Sequence, residues 1–218
     1  MNNQPVRRFK MIFADLIARA NATHNFVMRD IDEFINFGIT QADIDDFKTE
    51  INALEEMPTD LELHTDIGVA VENKKKLRKE LEKHIRRITM RAAMAFDTSS
   101  QEYLELYTGR MTTMGANDFL INSRRIARNA QKYLTELAVF GLTQAIIDDF
   151  NAKNDAFENA ITTVFDARTK RSKGTLERIE KGNSIYETTV KLCELGKKIW
   201  RDVNPAKYRD YVVYSKKK

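Results

Sequence analysis

Two stretches of the 218-residue chain are nearly identical: FGITQADIDDF at 37–47 and FGLTQAIIDDF at 140–150. Apolar residues recur at helical spacing on both sides of the first copy, with Phe34 before it and Ile44 and Ile51 within and after it. Such spacing is typical of amphipathic helices. The repeated stretch is therefore predicted to form a corner between two helices, once in each half of the chain.

The letters of the first copy specify a helix stop followed by a helix start. Gly38 stands where the first helix should end in a left-handed conformation, so we expect a positive φ there. Thr40 is predicted to cap the next helix, and Asp43, three residues later, completes a capping box. Ile39 and Ile44 flank the cap as a hydrophobic staple.

The second copy keeps most of this chemistry. Gly141 is again expected to hold a positive φ, Thr143 to cap the following helix, and Leu142 and Ile147 to form the staple. Ile146 occupies the place of the acidic residue, so the capping box is incomplete.

Similarity extends beyond the corner. A shift of 103 residues places Phe34 on Leu137 and Leu54 on Phe157, and a shift of 104 places Leu81 on Ile185 and Phe96 on Trp200. Together with only 8 Gly and 3 Pro, this predicts an all-α protein, a tandem duplication of a three-helix unit forming an elongated helical bundle.

The predicted repeat units are 1–110 and 111–218, packed as one globular body. The predicted helices are 6–36, 41–60 and 66–96 with a tail at 100–109, and 116–139, 144–166 and 169–201 with a tail at 205–214. Pro58 is expected to bend or end the second helix of the first unit.

The second half resembles a set of uncharacterised bacterial all-helical proteins that carry a Phe/Tyr-Gly-Ile/Leu-Thr corner, a basic stretch and an aromatic tail. The matching segments here are FGLT at 140–143, RTKR at 168–171 and KYRDYVVY at 207–214, with FGIT at 37–40 and EYLELY at 102–107 following in the first half. The resemblance implies the helical fold and no activity or site.

Composition indicates a folded chain, because hydrophobic residues are 42% and charged residues 31% of it. The lone Cys193 cannot form an internal disulfide, suits a reducing compartment and is expected to be buried in a helix. No stretch approaches the roughly 18 apolar residues of a membrane span. We therefore expect a cytoplasmic protein.

Candidates for catalysis are few. None of the three histidines, His24, His64 and His84, has an acid three residues before it, as a bundle di-iron site requires. The repeated acid pairs 45–46 and 148–149 lie near predicted helix starts, where the helix dipole favours acids on a solvated face. Nucleophile and nucleotide-binding motifs are absent. We therefore expect no metal, no cofactor and no enzymatic activity.

Charge is the most informative remaining feature. The segment 29–66 is strongly acidic, and the helix that follows it is strongly basic. One interpretation is that the basic side chains complement acids of the same protein. The other is a polyanion-binding surface formed by Lys74, Lys75, Arg78, Arg86 and Arg87.

These observations lead to two functional hypotheses. The first is a non-enzymatic structural or protein–protein interaction protein that presents helical faces to a protein partner or to itself. The alternative is a nucleic-acid- or polyanion-binding protein that uses the basic third helices. The net charge of only +4 and the scarcity of aromatic residues in the basic segments favour the first hypothesis.

Overall fold

The computed structural model describes residues 4–212, within which every regular element is a helix. The elements are α1 (Phe13–Arg29), α2 (Ile31–Ile35), α3 (Gln41–Glu55), α4 (Asp60–Ala95), α5 (Gln101–Leu106), a short 3-10 helix (Met111–Thr113), α6 (Ala116–Lys132), α7 (Leu134–Ala138), α8 (Gln144–Trp200) and α9 (Pro205–Asp210). The all-α prediction is confirmed for the described residues.

Both corners have the predicted geometry. Gly38 has φ +80° and Gly141 has φ +78°. The Thr40 hydroxyl accepts a hydrogen bond from the Asp43 backbone N–H, and the Asp43 carboxylate accepts one from the Thr40 backbone N–H, which completes the capping box. In the second corner, the Thr143 hydroxyl accepts a hydrogen bond from the Ile146 N–H.

The predicted break between 144–166 and 169–201 was wrong, because α8 is one continuous helix of 57 residues. The first half does break, since α3 ends at Glu55 and α4 begins at Asp60, on either side of Pro58. At a shift of 103, Ile161 stands in the second half where Pro58 stands in the first. Ile161 keeps the backbone N–H that proline lacks, and the lysines and arginines that follow are good helix formers.

The predicted first helix, 6–36, was too long at its start. Residues 4–12 are not helical, and the Asn183 side chain binds the backbone of this segment at two points. Its amide nitrogen donates to the Val6 carbonyl at 2.9 Å, and its oxygen accepts from the Arg8 N–H at 2.8 Å. An extended backbone presents these two groups to one amide side chain, whereas in a helix the Val6 carbonyl would accept from the N–H four residues later.

The chain forms two compact units. Unit 1 comprises Met1–Asp60 and Arg171–Lys218, and unit 2 comprises Leu61–Lys170. Residues Leu16, Phe34, Ile51, Ile185 and Tyr211 lie in the buried core of unit 1. Those in the core of unit 2 include Leu81, Ile88, Phe119, Phe150 and Phe157.

These units have different boundaries from the predicted repeat units 1–110 and 111–218. Unit 1 combines α1 to α3 with the C-terminal half of α8 and with α9, whereas unit 2 combines α4 to α7 with the N-terminal half of α8. Each core therefore takes its third long helix from the other half of the sequence.

Helix bounds recur along the chain at a constant interval. A shift of 103 residues places Phe13 and Arg29, the ends of α1, on Ala116 and Lys132, the ends of α6. The same shift places α2 on α7 and the start of α3 on the start of α8. Both halves therefore use the same succession of a long helix, a five-residue helix and a glycine corner.

Candidate functional site

The outer face of α8 in unit 1 carries a regular alternation of charge. Glu187, Lys191, Glu194 and Lys198 are all exposed, and they follow one another at intervals of four, three and four residues. These intervals place them along one side of the helix over roughly 16 Å. The opposite side is buried in the core of unit 1. We call these four residues the α8 charge row.

A depression of about 600 Å³ lies between the charge row and the first corner. Apolar groups from both elements line it, including Phe37 from the corner and Val190 and Leu195 from α8. The Phe37 side chain is 60% exposed, and Val190 and Leu195 are partly exposed. Apolar surface is therefore available on the flanks of the charged side chains.

A second depression, of about 550 Å³, adjoins the other end of the row and shares Glu187 with the first. The extended segment 4–8 forms one wall, held by the Asn183 amide and by an ion pair between Arg8 and Glu187. Just after this segment, the rings of Phe9 and Phe13 pack closely on Gly182, where a Cβ would lie only 3.0 Å and 2.9 Å from them.

The corresponding face in unit 2 has different chemistry. A shift of 104 places the charge row on Lys83, Arg87, Met90 and Met94, which carry no acid. Leu195 corresponds to Arg91, whose Nε donates to the Phe140 carbonyl of the second corner at 3.1 Å. Of the two corresponding faces, only the one on α8 in unit 1 has alternating charges with Val190 and Leu195 on its flanks.

The five residues predicted to contact a polyanion all lie on α4, but they differ in exposure and in ion pairing. Lys75 and Arg86 are exposed, although each forms an ion pair within its own helix, with Glu72 at 2.6 Å and Glu82 at 3.6 Å. Lys74 is partly buried and Arg87 is exposed.

Arg78 points into the structure of unit 2. It donates to the carbonyls of Met111 and Met114, pairs with Glu82 at 3.2 Å and lies over the Phe119 ring at 4.5 Å. Its side chain therefore fixes the segment before α6. The ion-pair partners of Lys75, Arg78 and Arg86 described above, Glu72 and Glu82, lie on α4 itself.

The histidine and the paired acids considered in the sequence analysis make contacts within the fold. His84 stacks on the Phe150 ring and lies 3.2 Å from Asp149, and burial lowers the pKa of its imidazole, although the Asp149 carboxylate opposes this. Asp45 and Asp148 are exposed and accept hydrogen bonds from Gln41 and Gln144, four residues earlier. Residues 4–212 contain no group of three or more potential metal ligands.

Sequence reasoning missed the α8 charge row, although its spacing was visible in the printed letters. The missing information was which side of α8 is buried, and this depends on the tertiary packing. Across the described residues, no helix combines the length and apolarity needed to cross a membrane.

Comparison with known proteins adds no further constraint: no family model, curated protein or solved structure matches the chain. The α8 charge row and its two depressions are therefore taken as the candidate functional site.

Proposed function

We propose that this is a non-enzymatic, cytoplasmic interaction protein, which binds an amphipathic helix of a protein partner on the outer face of α8 in unit 1. The observation that carries the proposal is the adjoining apolar depression, with Phe37, Val190 and Leu195 beside a row of alternating charges. Apolar contacts flanked by ordered charges are how helices select a partner helix and its orientation.

The non-enzymatic part of the proposal rests on the sequence, which lacks nucleophile, nucleotide-binding and di-iron motifs. The duplication of a three-helix unit is also proposed. Its support is the recurrence of helix bounds and corner glycines at a shift of 103. An experimental structure in which α1 to α3 failed to superpose on α6, α7 and the start of α8 would contradict it.

Site-specific photo-crosslinking tests the interaction. A photoreactive amino acid replaces Val190 in the full-length chain, and the matched control replaces Arg86, which corresponds to Val190 at the shift of 104. We expect a discrete protein adduct from position 190 that disappears when Leu195→Glu is added, and no such adduct from position 86. Absence of an adduct at 190, or the same adducts at both positions, would contradict the proposal.

The alternative, polyanion binding through α4, is supported by the exposure of Lys75, Arg86 and Arg87. The inward contacts of Arg78 and the in-helix pairs of Lys75 and Arg86 reduce the charge available to a ligand. Nuclease-sensitive adducts from position 86, with binding that weakens steeply as salt rises, would favour this alternative.

A further inference from the structure

The order of charges along the α8 charge row is self-complementary. Read from residue 187 to 198 the row is Glu-Lys-Glu-Lys, and read in the opposite direction it is Lys-Glu-Lys-Glu. If a second α8 lies antiparallel, with a two-fold axis midway between positions 192 and 193, every acid faces a base. Glu187 then faces Lys198 of the second copy, and Lys191 faces Glu194.

The same axis also matches the apolar positions. It keeps each flank of the row on its own side of the interface, so that Val190 faces Val190 of the second copy and Leu195 faces Leu195 of the second copy. Both side chains are partly exposed on the flanks of the row. One two-fold operation thus aligns four ion pairs and two apolar contacts, which is what an isologous interface requires. The matched face of α4 cannot do this, because Lys83 and Arg87 would meet only basic or methionine side chains.

We propose that the outer face of α8 binds the same face of a second copy of this chain, with the two α8 helices antiparallel. The inference rests on the proposed interaction function and names the partner for that site. Exposed ion pairs contribute little affinity each, so the charges fix partner choice and direction while the apolar flanks supply most of the attraction.

Three of the four row residues form no competing ion pair in the described structure. Lys191, Glu194 and Lys198 are exposed and lie within ion-pair distance of no acid or base among residues 4–212, whereas Glu187 pairs with Arg8. The pKa of the Asp43 carboxyl is lowered mainly by its hydrogen bonds with Thr40, and the charge of Lys191 adds to this. Lys191 and Glu194 are therefore the positions to change, because they face each other across the axis and their substitution leaves the Arg8 contact intact.

The test measures self-association of the full-length protein by sedimentation equilibrium at low and at physiological salt. Glu194→Lys and Lys191→Glu each turn two attractive pairs of the dimer into two repulsive ones. We expect each variant alone to dimerise about tenfold more weakly than the wild type. An equimolar mixture should recover the wild-type affinity, because the new lysine of one variant then faces the new acid of the other.

Arg87→Glu, at the position of α4 that corresponds to Lys191, is the matched control and should leave dimerisation unchanged. Helix content and melting temperature of each variant confirm that it is folded. A monomeric wild type, unaffected single variants or a mixture that stays dissociated would overturn the proposal. If position 190 crosslinks to a different protein while the wild type is monomeric, the interaction function stands and self-pairing alone fails.

Discussion

Several polar contacts of unit 1 converge on Asp30. Its side chain is fully buried between α1 and α2, yet it accepts hydrogen bonds from Arg29, from Lys207 at 2.7 Å and from the Tyr211 hydroxyl at 2.9 Å. Arg29 also pairs with Asp210 at 2.8 Å. These contacts attach α9 and the residue that follows it to the junction between α1 and α2.

The ionisation of Asp30 should make the stability of unit 1 depend on pH. Burial raises the pKa of its carboxyl, but the hydrogen bonds from Arg29, Lys207 and Tyr211 outweigh burial and bring the pKa down to about 2. Because this lies below the unfolded value of about 3.9, the contribution is present above pH ~4 and is lost as the pH falls towards 2.

We therefore predict that Asp30→Asn removes a pH-dependent contribution of roughly 2 kcal/mol. The free energy of unfolding is measured with urea at pH 7, 4 and 2.5 for the wild type, for Asp30→Asn and for the exposed control Asp32→Asn. The wild type and the control should lose more stability on acidification than Asp30→Asn. Parallel pH curves for all three would contradict the role assigned to Asp30.

The long helix α8 contributes to both cores and is continuous at the position that corresponds to Pro58. The first half of the chain is interrupted at Pro58, where α3 has ended and α4 has not begun. At the corresponding position, Ile161 is partly buried and packs against the core of unit 2. An uninterrupted hydrogen-bond ladder at Ile161 allows the helix to reach Trp200.

Introducing the proline of the first half into α8 should break it. Ile161→Pro removes one backbone donor and clashes with the carbonyl four residues earlier, so we expect at least ~3 kcal/mol beyond the cost of Ile161→Ala. Circular dichroism and chemical unfolding measure the effect. Pro58→Ala should change stability by less than about 1 kcal/mol, because the backbone there is already non-helical. Equal stability of the proline and alanine variants at 161 would show that helix continuity is unimportant.

In the whole molecule, each compact unit joins parts that are distant in sequence. Phe47 and Phe150 occupy the same place in the two copies of the repeated stretch, and both are buried. Their cores differ, since Phe47 lies with Ile185 and Leu192, whereas Phe150 lies with Leu81 and Ile85. A cavity at either phenylalanine should therefore loosen segments from both halves of the sequence.

Hydrogen exchange followed by peptide mass analysis can separate the compact units from the sequence repeats. Phe47→Ala should cost about 3–5 kcal/mol in unit 1 and speed exchange in α1, α3 and the part of α8 after Arg171. Phe150→Ala should have a similar cost in unit 2 and act on α4 and α6. If Phe47→Ala instead loosened α4 and left the end of α8 protected, the division into these units would be wrong.

Local chemistry was sufficient to predict the corners and the helical class. A positive-φ glycine followed by a threonine cap and an apolar staple acts within a few residues, so Gly38, Thr40 and Ile44 specify the same turn wherever they occur. The stop at Pro58 was predictable for the same reason. The start of α1 was not, because Val6 and Arg8, which precede it, are held in a non-helical segment by Asn183, which is far away in sequence.

Only the tertiary structure decided which third helix completes which core, and which face of α8 remains exposed. The apolar positions of α4 recur on α8 at a shift of 104. By its sequence, α4 could therefore pack in unit 1 as well as the C-terminal half of α8 does, and that half could pack in unit 2. In the observed packing, the chain is interrupted around Pro58, whereas α8 continues without a break through Ile161. The charge row is exposed because that packing buries the opposite side of α8, and burial is a property of the assembled core that no short stretch of sequence encodes.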